Sequence, residues 1–222
     1  GETLASTTMD LIPGGKGANQ AVAAARLGAP TAFLGRIGRD GNGAMLRRAL
    51  QDAGIDLSGL REDPSEPTGT AVVFGLPDGD NAIVIVGGAN ASASWEVAAE
   101  MQALIAGADF LLLQREVPER VNVAAARAAR AGGTKVVLDA GGSDAPISPD
   151  LLALVDVFSP NETELANLRG GAVDGDEAVV REAVALRREY GIEHVVVKLG
   201  ARGAMVVSRS PEEGQPDAVW LQ

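Results

Sequence analysis

A glycine-rich segment near the start of the chain carries residue types that could bind a small ligand. Residues 13–20 read Pro-Gly-Gly-Lys-Gly-Ala-Asn-Gln, and an alanine-rich run without proline follows them. Glycine permits positive φ angles and close approach of a ligand to the backbone, whereas alanine, arginine and leucine favour a helix. We therefore predict a tight loop that leads into a helix over residues 17–27. The free N–H groups and the positive end of that helix would point at a ligand in the loop, and Lys16 and Asn19 would add polar side chains.

The spacing of this segment differs from that of the common phosphate-binding loops. The pattern G-x-x-x-x-G-K-[ST] requires Ser or Thr after the lysine, whereas Lys16 is followed by Gly17, and G-x-G-x-x-G is not met either. Composition alone favours a glycine-rich turn before a surface helix. The order Gly-Gly-Lys-Gly-Ala-Asn-Gln-Ala, however, closely resembles the sugar-binding signature of the ribokinase-like (PfkB-type) carbohydrate kinases. The resemblance implies that Gly15, Lys16, Gly17 and Asn19 bind a sugar.

A second segment could organise a metal-bound nucleotide. After a predicted strand at 155–158 the chain reads Ser-Pro-Asn-Glu-Thr-Glu, and the i, i+3 spacing places Asn161 and Glu164 on one side of a helical turn. Together they could hold the water shell of a Mg²⁺ ion, but a helix cap with acidic residues near the dipole is the alternative. The segment resembles the Asn-Pro-x-Glu-x-x-Glu signature of the same family, with Ser159 in place of the first Asn. The resemblance assigns Asn161 to the nucleotide phosphates and Glu164 to the metal, through water.

Three further positions follow predicted strands. Glu116 comes after the strand at 109–114, and the resemblance implies that it contacts the sugar, whereas a helix-capping role is the alternative. Asp139 ends the strand at 135–139, and we favour a turn-capping role over ligand binding. The turn after the strand at 194–198 lines the ATP site in the family, although a plain hairpin turn is also consistent with it. Besides Asn161, the resemblance therefore predicts four nucleotide-binding residues here, at the first of which relatives often carry Thr: Lys198, Gly200, Arg202 and Gly203.

These residues require a sheet whose strands end at one edge. Apolar runs at 110–113 and 195–197 are typical of parallel strands covered on both faces. They alternate with helical patterns, which predicts an α/β fold with a doubly wound, mostly parallel sheet and helices on both faces. Ligands in such sheets bind beyond the carboxyl ends of the strands. The predicted strands are 31–35, 109–114, 135–139, 155–158, 194–198 and 204–208, and the predicted helices after the first are 43–53, 94–106, 118–131, 148–154, 161–169 and 175–190.

A small separate sheet is predicted beside the main one. The β-rich segments 68–76 and 81–86 flank Pro77-Asp78-Gly79-Asp80, which is a strong hairpin signal. The polar stretch at 1–13 reads as an extended arm or edge strand that could join them. The resemblance implies that strands within 1–13 and 68–87 form a lid over the sugar, which could also support a homodimer.

Composition excludes several classes of site and partner. The chain has 222 residues and a formal net charge of −11, which argues against nucleic acid or an anionic membrane as a partner. It has no cysteine, which excludes disulfides and thiol catalysis, and its one histidine argues against a Ser-His-Asp triad or a histidine-based metal site. No apolar run approaches about 20 residues, so no membrane-spanning helix is expected. The resemblance implies a cytoplasmic enzyme.

The resemblance implies an ATP-dependent kinase that phosphorylates D-ribose to ribose 5-phosphate, with Mg²⁺ bound to ATP and K⁺ as a further cation. Ribose is favoured because residues 15–20 most resemble the ribose-phosphorylating members. The family's Gly-Ala-Gly-Asp segment, whose Asp is the catalytic base, does not occur up to Gln222. We therefore expect one domain over 1–222 that is incomplete at both ends and inactive by itself, with the K⁺ ligands mostly outside it. The alternatives are a kinase for another sugar or a nucleoside, a catalytically inactive sugar-binding homologue, and a structural module that binds no ligand.

Overall fold

The N-terminal part begins with the predicted loop and helix. The structure is a computed structural model that describes residues 8–75, 81–210 and 217–221. Its first elements are α1 (Lys16–Arg26), β1 (Gly35–Gly38), α2 (Gly41–Asp52) and β2 (Leu60–Asp63), and β1 pairs with β2 in parallel. Both predicted helices of this part are confirmed to within two residues at each end.

The strand predicted at 31–35 is wrong in its position. Ala32 makes only an isolated bridge to Asp56, and the regular ladder starts at Gly35, opposite Leu60. Phe33, in the middle of the predicted strand, instead packs against the small cluster between α1 and α2. The partner β2 was not predicted, because its four residues, Leu-Arg-Glu-Asp, show no apolar alternation.

The predicted hairpin is confirmed as a separate two-stranded sheet. Strand β3 (Thr70–Gly75) runs antiparallel to β4 (Asn81–Val86), with Thr70 opposite Val86. The turn at 77–80 lies outside the described residues, as does the arm from 1 to 7. Residues 8–13 of the arm form no strand, which corrects the predicted third lid strand in that part. These residues are exposed, and the proline at 13 has no N–H to donate to a ladder.

Among the described residues, the main sheet has six strands, which lie side by side in the order of the chain. They are β5 (Phe110–Leu113), β6 (Lys135–Asp139), β7 (Val157–Ser159), β8 (His194–Lys198), β9 (Ala204–Ser208) and β10 (Ala218–Leu221). The first four are parallel, and β8, β9 and β10 pair antiparallel. The α/β fold with a mostly parallel sheet is thus confirmed. The strand β10 was not predicted, because the segment 210–222 is mostly polar.

Among the described residues, one α-helix leads into the main sheet and four connect its strands. Helix α3 (Ala99–Ala106) precedes β5, and the connecting helices are α4 (Glu119–Gly132), α5 (Pro149–Leu152), α6 (Glu162–Arg169) and α7 (Asp176–Tyr190). The helix predicted at 94–106 begins five residues late. The physical reason is that Trp95 is buried in a turn, and its carbonyl, with those of Ser92 and Ala93, accepts hydrogen bonds from the Arg120 guanidinium.

The two faces of the main sheet differ in burial. One face is fully buried in the core, where Val136, Leu138, Phe158 and Val195 have no exposed surface. On the other face of β5, Phe110 remains 61% exposed. Within residues 8–75, 81–210 and 217–221, no helix combines the length and the apolar character needed to cross a lipid bilayer.

Candidate functional site

The glycine loop contacts the carboxyl end of β5. The backbone N–H of Lys16, at the first position of α1, donates a hydrogen bond of 2.8 Å to Glu116 Oε2. Gly15 precedes the helix with φ 98°, a conformation that favours glycine. A Cβ on Gly17 would lie 2.6 Å from Gln114 Nε2, at the end of the Gln114 side chain, so the start of α1 packs closely against the residue that follows β5. The predicted sugar-binding loop and Glu116 are therefore in contact. The Glu116 carboxylate lies at the N-terminus of α1, where the helix dipole favours a negative charge.

The carboxyl end of β6 joins this loop to the acidic turn. A Cβ built on Gly141 would lie 2.9 Å from Asp139 Oδ1, and 3.3 Å from both Glu164 Oε1 and Lys16 Cε. The Lys16 side chain thus extends from the glycine loop towards Glu164, and the missing side chain at Gly141 keeps the space between them open. Lys16 of the predicted sugar-binding set and Glu164 of the predicted metal site therefore meet beside Asp139 and Gly141, and we call the space between them the cleft.

Asn161 and Glu164 form a capping box at the start of α6. Asn161 Oδ1 accepts a hydrogen bond from Glu164 N at 2.7 Å, and Glu164 Oε2 accepts one from Asn161 N at 2.7 Å. The capping alternative is thus a correct description of the local structure. It engages only Oε2 of Glu164, so Oε1 can still face a ligand at Gly141.

Lys198 lies between two carboxylates. Its Nζ is 2.6 Å from Asp139 Oδ2 and 3.8 Å from Glu164 Oε2. Asp139 Oδ1 accepts a hydrogen bond from Gly141 N at 2.9 Å. The turn-capping role that we favoured for Asp139 accounts for the bond of Oδ1. Sequence reasoning missed the ion pair between Oδ2 and Lys198. Lys198 is held at the acidic turn by its backbone as well, because its N–H donates to Pro160 O at 2.9 Å.

The turn between β8 and β9 is shaped by glycines and by one arginine. Gly200 and Gly203 have φ 59° and 90°, and Leu199 N donates to Gly203 O at 2.8 Å. Arg202 binds the carboxylates of Glu162 and Asp176, at the first turns of α6 and α7. Glu162 is the main cause of the raised pKa of Arg202. The turn is therefore held to the first turns of α6 and α7, and the guanidinium of Arg202 is already engaged by their carboxylates.

The donor set fits a magnesium ion that is bound mainly by a nucleotide and by water. Among the residues that the structure describes, no group of three or more Asp, Glu or His side chains could cage a metal. Mg²⁺ commonly keeps several waters and uses one or two carboxylates together with substrate phosphates. Glu164 Oε1, beside the open space at Gly141, offers one such carboxylate oxygen.

Sequence reasoning also missed Arg115, which lies between β5 and Glu116. Its guanidinium donates to the backbone carbonyls of Ser143, Ala145 and Pro146. In the sequence, Arg115 stands out only as a cationic residue that follows an apolar strand and directly precedes Glu116, which is predicted to bind the sugar.

Comparisons with known proteins show which family this chain resembles. The family model described as pfkB family carbohydrate kinase matches residues 1–220. The chain is 43% identical over 207 residues to a ribokinase of Arabidopsis thaliana, covering 92% of this chain and 54% of that protein. It is 40% identical over 206 residues to a ribokinase of Haemophilus influenzae, covering 93% of this chain and 67% of that protein. The chain thus spans about half to two thirds of the length of these curated relatives.

A solved structure shows the same similarity in three dimensions. The structure of Arabidopsis thaliana ribokinase complexed with ribose and ATP superposes with a TM-score of 0.90 at 38% sequence identity. The match covers 99% of this chain and 70% of that chain. The similarity therefore extends over the fold and over every strand end that lines the cleft.

Proposed function

Because the chain belongs to the pfkB family of carbohydrate kinases, we propose that its protein phosphorylates D-ribose with ATP and forms ribose 5-phosphate. The observation that carries the proposal is the single cleft in which Lys16 reaches from the glycine loop to the acidic turn, where its Cε and Glu164 Oε1 both lie next to Gly141. Transfer of a phosphoryl group requires the acceptor hydroxyl and the nucleotide to meet in one place. The relative that was solved with ribose and ATP supports both ligands.

The sugar side of the cleft suits a neutral polyol. Sugar hydroxyls can donate to the Glu116 carboxylate and can accept from Lys16 and Asn19 and from backbone N–H groups at Gly15 and Gly17. Both Lys16 and Asn19 are exposed to solvent in the structure and are accessible to a ligand. Glu116 keeps one oxygen for this purpose, because its bond to the Lys16 amide uses Oε2.

The nucleotide side of the cleft combines one cation with one carboxylate. Lys198 would stabilise the negative charge of the phosphates, and Glu164 would bind Mg²⁺ through water, with Asn161 between them. Bound Mg²⁺ would neutralise charge on the phosphoryl oxygens. Gly200 and Gly203 would line the nucleotide in a turn that lacks side chains at these two positions. Arg202 would act by holding that turn to α6 and α7, since its guanidinium is engaged by carboxylates.

A coupled ATPase assay on the full-length protein tests the proposal, with a panel of pentoses, hexoses and nucleosides. We expect stimulation by D-ribose, a higher rate in potassium than in sodium chloride, and loss of stimulation in Glu116→Ala. Stimulation by fructose or a nucleoside, but not by ribose, would overturn the assignment of ribose as the substrate. Calorimetric binding of ribose without phosphoryl transfer would favour the inactive sugar-binding homologue. None of the residues described above is assigned the role of the general base that takes the proton of the sugar hydroxyl.

The hairpin β3–β4 is proposed to form the lid and to contact a second copy of the chain. Among its described side chains, Val73, Ile83, Val84 and Ile85 are apolar and each more than half exposed, and they lie on both faces of the hairpin. An isolated two-stranded sheet is marginally stable in water, and an exposed apolar patch of this kind is typical of an interface. Light scattering should therefore give the mass of a dimer, and Ile85→Lys should shift it towards the monomer. A wild-type monomer at micromolar concentration would contradict this part of the proposal.

A further inference from the structure

We propose that Arg115 is a positioning residue for sugar binding, because it holds residues 141–146 against Glu116 and thereby fixes the carboxylate that binds the Lys16 amide. The inference rests on the proposed function, in which Glu116 is a sugar ligand. Arg115 would not touch the sugar itself, since its guanidinium is used for carbonyls of the neighbouring segment.

The guanidinium of Arg115 joins the ends of two adjacent strands. Nη1 donates to Ser143 O at 2.7 Å, and Nη2 donates to Ala145 O and to Pro146 O, the latter at 3.3 Å. The backbone N–H of Arg115 donates to Gly141 O at 3.0 Å. Arg115 is therefore hydrogen-bonded to four residues of the segment 141–146 that follows β6, and the planar fork of arginine suits several carbonyls at once.

The segment held by Arg115 lies directly on Glu116. Gly142 has φ 115°, and a Cβ there would come within 2.9 Å of both Glu116 Cγ and Glu116 N. On its other side the Glu116 carboxylate accepts the N–H of Lys16 at 2.8 Å. Glu116 is thus enclosed between the segment 141–146 and the glycine loop, so release of the segment would free the carboxylate to move.

The position of Arg115 is costly for a cation, which indicates that the contact is specific. Burial lowers the pKa of the guanidinium, and the carboxylates of Glu119, Glu164 and Asp144 partly offset that effect. An arginine remains charged in spite of such a shift. The three carbonyls and these acidic neighbours offset part of the cost of its desolvation.

A second arginine provides a matched control. Arg120 also donates its guanidinium to three backbone carbonyls, those of Ser92, Ala93 and Trp95. That segment precedes α3 and makes no hydrogen bond to Glu116 or to the glycine loop among the bonds described. Loss of either arginine removes a similar set of hydrogen bonds, but only the bonds of Arg115 hold a segment that contacts Glu116.

The experiment compares Arg115→Ala, Arg115→Lys and Arg120→Ala in the full-length protein. Calorimetry measures the affinity for D-ribose and for Mg·ATP, and amide hydrogen exchange measures protection of the Lys16 N–H. We expect Arg115→Ala to weaken ribose binding about tenfold, as loss of one well-placed interaction of about 1.4 kcal/mol would do, and to increase exchange at Lys16. Mg·ATP affinity should change less, Arg115→Lys should restore part of the ribose affinity, and Arg120→Ala should change neither readout.

Each outcome decides the inference. Unchanged ribose affinity and unchanged Lys16 exchange in Arg115→Ala would overturn it, as would equal effects of Arg115→Ala and Arg120→Ala. If the wild-type protein binds no ribose, the proposed function fails, and Lys16 exchange in the two alanine variants still decides the positioning role without a ligand. If Arg115→Ala does not fold, Gly142→Ala perturbs the contact between the segment 141–146 and Glu116 from the side of that segment. It should reduce ribose affinity and Lys16 protection in the same way.

Discussion

The capping box of α6 allows the structural role of Glu164 to be separated from its proposed role at the metal. Glu164 Oε2 accepts the Asn161 N–H, whereas Oε1 faces the space at Gly141. Glutamine can replace glutamate in a capping box, because its amide oxygen accepts the same N–H. Glu164→Gln should therefore lower the free energy of unfolding by at most about 1 kcal/mol, because it keeps the hydrogen bond and loses only the negative charge near the helix N-terminus.

The same substitution should weaken the binding of Mg·ATP. It removes the one carboxylate that we assign to the metal, and Mg²⁺ strongly prefers charged oxygen ligands. We expect a loss of about tenfold in affinity, which corresponds to about 1.4 kcal/mol. Ribose affinity should stay unchanged, because the sugar contacts of Glu116 and the glycine loop do not involve Glu164.

Glu164→Ala extends the test, because it removes both functions. The loss of one hydrogen bond and of a negative charge near a helix N-terminus should cost roughly 1–2 kcal/mol of stability. Ser148→Ala is the matched control, since the Ser148 hydroxyl caps α5 by accepting Leu151 N at 3.2 Å and lies outside the cleft residues. It should cost about 1 kcal/mol without changing Mg·ATP affinity.

Two assays check these values. Chemical denaturation gives the stability of each variant, and calorimetry with ATP at several Mg²⁺ concentrations gives the affinities. The reasoning is refuted if Glu164→Gln binds Mg·ATP as the wild type does at limiting Mg²⁺. It is also refuted if Glu164→Gln loses as much stability as Glu164→Ala, because the capping box would then depend on the charge.

Two further predictions concern single aspartates, one in the cleft and one outside it. Asp139→Asn should release the ammonium of Lys198 and raise the KM for ATP by up to about fivefold, since partly exposed pairs contribute at most about 1 kcal/mol; initial-rate kinetics check it, and an unchanged KM would contradict it. Asp63 is buried, and hydrogen bonds from the backbone amides of Ser65 and Glu66 lower its pKa in the folded state. Its contribution to stability is therefore complete above its unfolded pKa of about 4 and is lost as the pH falls below that value. Asp63→Asn should flatten the acidic limb of the stability–pH curve, and a curve unchanged from the wild type would exclude this cause.

The sequence alone predicted those features that depend on local signals. The helix α1 follows from the glycines before it and from the alanine-rich run within it, and the hairpin β3–β4 follows from two β-rich segments around a turn. The alternation of apolar runs with helical patterns predicted the parallel part of the main sheet. Local signals failed where packing decided instead, as at Phe33, which fills a cluster rather than a strand, and at Trp95, which delays α3.

Only the tertiary structure decided how the site is assembled. Glu116 accepts a hydrogen bond from Lys16 across 100 positions of the chain, and Asp139 pairs with Lys198 across 59. Such contacts depend on the order and register of strands β5 to β8, which are set by pairing between distant segments. Residue types and spacing could therefore predict the ligands of each turn, whereas the position of Arg115 as the link between two turns required the folded sheet.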